Sequence, residues 1–204
     1  MKKKKINSNN LLLLITIVLF FVMYAAGCIV YADKGFTRFQ TFLNILINNA
    51  GISYIGLLTD MSIDDWNHIV STNLTSVFST SRLAIPHMVH EKKGKIINIS
   101  SIWGDAGASC EVLYSTTKGG INAFTKALAK EVAASNIQVN AIAFGMIDTE
   151  MNAEFDEEDL ALIKEEIPAD YIASPKEAAQ MVYHVATSPA YMTGQVITFS
   201  GGWY

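Results

Sequence analysis

From Leu43 to the end, short apolar runs alternate with long amphipathic stretches, and this alternation limits the fold more than any other feature. Asn44-Ile45-Leu46-Ile47-Asn48 is a short apolar run bounded by Asn, which predicts a buried parallel strand. Residues 95–100, 138–143 and 195–199 predict three more strands. Between the first two, Ser62 and Asp65 stand in capping-box positions, and Trp66, Ile69, Val70, Leu74, Val77, Phe78, Ile85 and Met88 recur at helical spacing. The pattern predicts one long helix that ends at Glu91-Lys92-Lys93-Gly94. A second helix is expected from near Tyr114 to Ser135, and an acidic one over residues 156–166. Ser174-Pro175-Lys176-Glu177, an N-cap, a first-turn Pro and a capping-box Glu, opens a last helix to about Thr187. Strands that alternate with helices imply an α/β fold, a parallel sheet covered on both faces.

The start of the chain reads differently. Residues 1–10 are basic and polar, and Leu11 to Ala32 is a run of 22 residues without a charge. That is long enough to span a bilayer as an apolar N-terminal helix, and Lys2 to Lys5 ahead of it also match the opening of a signal peptide. A core segment and a product of a disrupted gene remain as alternatives. The chain is therefore divided into residues 1–42, a basic tail plus apolar segment with membrane contact expected through 11–32, and residues 43–204, the α/β domain. Charge argues against a nucleic-acid partner. Four of the 15 Lys+Arg lie in that basic tail, which leaves 11 against 19 Asp+Glu in the remainder. Two Cys, Cys28 and Cys110, are too few for a disulfide scaffold, and no Cys or His spacing fits a metal site.

The chemistry is carried by three residues. Tyr114 and Lys118 are four apart, so they share one face of the second predicted helix. An ammonium near a phenol favours the phenolate and lowers its pKa, which suits proton exchange with a carbonyl or alcohol oxygen. Ser101 stands at the carboxyl end of a predicted strand, where open parallel sheets place their ligands, and its hydroxyl can donate to the same oxygen. Asn48-Asn49-Ala50-Gly51 follows another strand, Asn73 lies in the long helix, and Gly194-Gln195 and Gly201-Gly202-Trp203 close the chain.

Together these motifs resemble the short-chain dehydrogenase/reductase family, of the 3-oxoacyl-carrier-protein reductase type, over residues 44 to 203. Ser100-Ser101-Ile102-Trp103-Gly104 and Gly107-Ala108-Ser109-Cys110-Glu111-Val112 resemble a narrower bacterial subgroup, the elongation factor P 5-aminopentanone reductases. The resemblance implies a Rossmann-like sheet, a cytoplasmic homo-oligomer, and NADPH-dependent reduction of a ketone, with NAD(H) as the other cofactor choice. The ketone would be a 3-oxoacyl thioester or a protein-linked aminopentanone. It implies Tyr114 as general acid, Lys118 as the group that lowers its pKa and holds the nicotinamide ribose, and Ser101 as the group that orients the carbonyl. Asn73 would hold a water in the proton relay. Asn49, Ala50 and Gly51 would lie along the cofactor, and Ile147 and Thr149, after Gly145, would meet its nicotinamide end. On the residues alone, Asn49 could equally end a strand, and Asn73 could be a satisfied buried amide.

The sequence departs from the family pattern at its start. No Thr-Gly-x-x-x-Gly-x-Gly motif occurs, and the glycines before Gly51 are Gly27 and Gly35. In the family that turn holds the cofactor pyrophosphate on backbone N–H groups. The expected sheet is thus partial, lacking its first strands. The alternative function is a truncated, membrane-anchored pseudoenzyme with little catalysis. Phe144 stands where a Pro is usual, Ser200 replaces an Asp, and Asn44 stands where an acidic residue is common.

Overall fold

Among the described residues, four parallel strands form one sheet in the order β1 (Ile45–Asn48), β2 (Gly94–Ser101), β3 (Ile137–Phe144), β4 (Val196–Phe199). The computed structural model describes residues 43–152 and 155–204. The apolar run 11–32 and the helix expected there lie outside the described residues. Among the described residues, no helix is long and apolar enough to cross a membrane.

Period-two alternation in the strands builds two cores. Ile96, Ile137 and Val139 point to one face, where they pack with Ala84, Met88, Leu128 and Val132. The helices on that face are α2 (Ser76–Glu91) and α4 (Val112–Val132). Ile97, Ile142 and Phe144 point to the other face and pack with Val185 of α6 (Pro175–Thr187), the helix that follows the acidic α5 (Glu157–Glu166). Helices on both faces of a parallel sheet make this a doubly wound, Rossmann-like α/β fold, as the alternation predicts.

Local chemistry explains the element ends. Ser62 caps α1 (Ile63–Val70), and Asp65 closes the box. Ser174 and Glu177 do the same for α6, with Pro175 in its first turn. Lys92 ends α2 in the left-handed region at φ 48°. Between α1 and α2 the long predicted helix is not uniform: Ser71–Thr75 forms a π turn around Asn73. A single wide turn leaves hydrophobic spacing almost intact, so periodicity does not reveal it.

One strand differs from expectation. The run 44–48 predicts a buried strand, yet Ile45 and Ile47 of β1 are 43% and 45% exposed. β1 stands at one edge of the described sheet, and among the described residues only its α2 side is covered. There Asn48 is buried and donates to Asn98 Oδ1 at 2.8 Å, its register partner on β2. Asn98 in turn donates to Thr125 Oγ1 of α4 at 2.9 Å. This row of satisfied amides fixes β1, β2 and α4 in one register.

Candidate active site

β2 delivers Ser101 to the carboxyl edge of the sheet. The next residue, Ile102, donates its N–H to Phe144 O at 3.0 Å, so the chain leaves β2 pinned to the end of β3. A short helix α3 (Trp103–Ala106) follows and lies against α4. A Cβ at Gly104 would sit 2.8 Å from the Lys118 carbonyl carbon and 2.9 Å from Asn122 Nδ2. Glycine at 104 therefore lets the loop after Ser101 touch the very turn of α4 that carries Lys118. Ser100 Oγ donates to Asn122 Oδ1 at 2.6 Å, which ties β2 to α4 one residue before Ser101.

On α4, Tyr114 and Lys118 share a face. Lys118 is 4% exposed, and its Nζ donates to Ile99 O at 2.9 Å while lying 5.3 Å from the Tyr114 ring centroid. Burial pulls its pKa down to about 8. Tyr114 moves the other way, to about 12. Burial is the main cause; a hydrogen bond with Ser101 draws it back, and the Glu111 carboxylate raises it further. The sequence predicts a phenol made more acidic by Lys118. In the structure the phenol lies above its ordinary value, chiefly because burial disfavours the phenolate.

Asn73 is fully buried beneath these groups. Its Nδ2 donates to Ile52 O at 2.9 Å and to Thr117 Oγ1 at 3.1 Å, and its Oδ1 accepts from Ile52 N at 2.8 Å. Nδ2 spends both its hydrogens and Oδ1 accepts one bond, so the Asn73 side chain pins the loop after β1 to α4.

A cavity of about 1060 Å³ opens above the carboxyl ends of β1, β2 and β3. Ser101, Tyr114 and Lys118 line it together. Asn49, Ala50 and Gly51 line its β1 side, and Gly145, Ile147 and Thr149 its β3 side. Gly51 lies close to the centre: a Cβ there would meet Asn73 Oδ1 and Lys118 Nζ, each at 3.5 Å. Of the ten residues singled out in the sequence, Asn73 alone stands behind the wall.

Other parts of the cavity escape sequence reasoning. Trp103 and Trp203 meet edge to face at 5.2 Å, and Trp203 Nε1 donates to Glu166 Oε2 at 3.3 Å. Met146, Met151 and Phe155 also line the cavity, from loop positions and a single 3-10 turn (Glu150–Asn152) where no periodicity marks them. Phe144, which stands where a Pro is usual, is accommodated by an edge-to-face contact with Phe199 at 5.7 Å.

An acid, an ammonium and a hydroxyl around a nucleotide-sized cleft on a doubly wound sheet define an oxidoreductase of the short-chain class. A family model described as short chain dehydrogenase matches residues 26–160, and the chain belongs to that family. It is 39% identical over 174 residues to an uncharacterized oxidoreductase of Bacillus subtilis (strain 168), covering 85% of this chain and 72% of that one. It is 42% identical over 163 residues to a 3-oxoacyl-[acyl-carrier-protein] reductase of Aquifex aeolicus, covering 79% of this chain and 66% of that one. The crystal structure of a 3-oxoacyl-[acyl-carrier protein] reductase from Brucella melitensis superposes with a TM-score of 0.75 at 34% identity, over 78% of this chain and 62% of that one. The chain spans about two thirds of the length of the relatives it matches.

Proposed function

We propose that this protein reduces a ketone to an alcohol, using NADPH. The observation that carries the reading is the convergence of Ser101, Tyr114 and Lys118 on one cavity at the carboxyl edge of a parallel sheet. The nicotinamide end of the cofactor suits the residues present. Asn49, Ala50 and Gly51 put little bulk along the β1 side, and a Lys118 with a pKa of about 8 is a cation at neutral pH, suited to ribose hydroxyls. When bound, the cofactor supplies the hydride to the carbonyl carbon. Ser101 donates to the carbonyl oxygen and fixes its direction. Tyr114 transfers its phenolic proton to that oxygen as charge develops there, and the phenolate recovers a proton from water. The Lys118 charge, one turn away, opposes the cost of that transient anion.

The rim of the cavity narrows the substrate. Glu111, Glu150 and Glu166 line it, against Lys118 as the one cation among the described lining residues. A carboxylate-rich mouth attracts a cation and repels an acidic carrier. That charge favours an amine-bearing ketone, such as a protein-linked aminopentanone, over the 3-oxoacyl thioester in the names of several relatives. Exposed Phe78, Leu83 and Val89 on α2 support self-association through that helix, which a solution mass measurement checks.

A second reading rests on the sequence's lack of a Gly-rich pyrophosphate turn. On it, the chain is a pseudoenzyme that keeps the cleft but holds the cofactor too weakly for turnover. Titration with NADPH, followed by turnover on an amine-bearing ketone and on an acetoacetyl thioester, separates the readings. Faster turnover of the amine-bearing ketone is the expected result. No saturable NADPH binding, together with no turnover on either ketone, favours the pseudoenzyme.

A further inference from the structure

The cavity wall beside Tyr114 is built by two loops distant in sequence, one after β1 and one before α4. Two hydrogen bonds join them. Gly56 N donates to Cys110 O at 2.8 Å, and Ser53 Oγ donates to Glu111 Oε2 at 3.1 Å. Cys110 holds a left-handed backbone at φ 63°, a conformation that disfavours residues with a side chain, so this turn is maintained against local strain. Glu111 is the N-cap of α4, yet its side chain caps no backbone N–H of that helix. It reaches across to Ser53 instead. The other end of the same loop is gripped at Ile52 by Asn73. Residues 52–56 are therefore clamped from both sides, and one clamp stands a single helical turn before Tyr114.

We propose that Ser53 and Glu111 form a latch that fixes the mouth of the cavity, making Glu111 a positioning residue for Tyr114. Glu111 acts through the loop and through the start of α4 rather than on the reacting atoms. The charge it places near the phenol gives a second readout; Lys118 from the same helix and Ser101 from β2 are the other groups facing that phenol. The kinetic consequence rests on the ketone-reductase reading, whereas the structural one does not.

The test uses the full chain with Ser53→Ala, Glu111→Ala and Glu111→Gln, the last of which can still accept the Ser53 hydroxyl. Hydrogen–deuterium exchange over residues 52–57 and 107–112 should quicken roughly 3- to 10-fold in Ser53→Ala and Glu111→Ala and remain near wild type in Glu111→Gln. With an uncharged ketone, Ser53→Ala should raise KM by a similar factor with little change in kcat. Glu111→Gln should shift the pH profile governed by Tyr114 downward. Unchanged exchange in both Ala variants overturns the latch. Exchange that changes as expected in a protein without ketone turnover leaves the latch standing and removes the reductase reading.

Discussion

The carboxyl ends of β1 and β2 face the same cavity but are built in different ways. At the end of β2, Ser101 is buried, its strand is flanked on both sides, and the chain beyond it is pressed onto α4 through Gly104. At the end of β1, Asn49 and Ala50 are exposed, and the strand behind them shows two isoleucines to solvent on one face. The groups proposed to move a proton are thus set by the core. Groups that would lie along the cofactor hang from a strand at the edge of the described sheet, and the loop after them is held by Asn73 and the Ser53–Glu111 bond. Proton chemistry in this fold needs sub-ångström placement, which packing supplies, while contact along a cofactor tolerates a more loosely held backbone.

If the contrast is right, changes near β2 should cost far more than changes near β1. Among changes at the two strand ends the largest effect is expected for Ser101→Ala, which removes the proposed donor to the substrate oxygen and should lower kcat by roughly 100-fold or more. Gly104→Ala comes next. Its methyl would press on the Lys118 backbone at 2.8 Å, so a loss of about 1–3 kcal/mol in denaturant-measured stability is expected, together with a fall in kcat.

A smaller effect follows from the buried ammonium. With the Lys118 pKa at about 8 in the folded chain and 10.5 as its ordinary value, the unfolded chain binds more protons between those limits. Its contribution to stability therefore increases as pH rises from about 8 towards 10.5. Tyr114 works in the opposite sense above pH 10, because the folded chain keeps a phenolic proton up to about 12 that the unfolded chain has lost. Unfolding midpoints should thus climb between about pH 8 and 10 in wild type and stay flatter in Lys118→Met. The smallest change belongs to the edge: Ile47→Thr, at a half-exposed position, should stay within about 0.5 kcal/mol of wild type. A large loss there would erase the distinction between the two strand ends.

Most of this fold was legible because its strands and helices carry their own signals. Ser62 and Ser174 mark helix starts by capping chemistry that acts within four residues, and the strand ends fell within two residues of expectation at β2, β3 and β4. Tyr114 and Lys118 were legible for the same reason, since helical spacing alone puts them on one face. What was not legible depends on residues remote in sequence. The exposure of Ile45 and Ile47 follows from what covers β1, which its own composition does not encode. The direction of the Tyr114 shift follows chiefly from burial, which is not visible in a four-residue spacing. Asn73 could be read either as a relay residue or as a satisfied amide, and its three hydrogen bonds favour the second for its side chain. Trp203 against Trp103 joins positions a hundred residues apart, so no local pattern could announce it.

The decisive comparison is Tyr114→Phe against wild type, followed as ketone-dependent oxidation of NADPH at saturating concentrations of both. Loss of the proton donor should reduce turnover by roughly 100- to 10,000-fold while NADPH binding, measured separately, stays close to the wild-type value. Equal turnover in the two proteins would show that the phenol does not protonate the substrate.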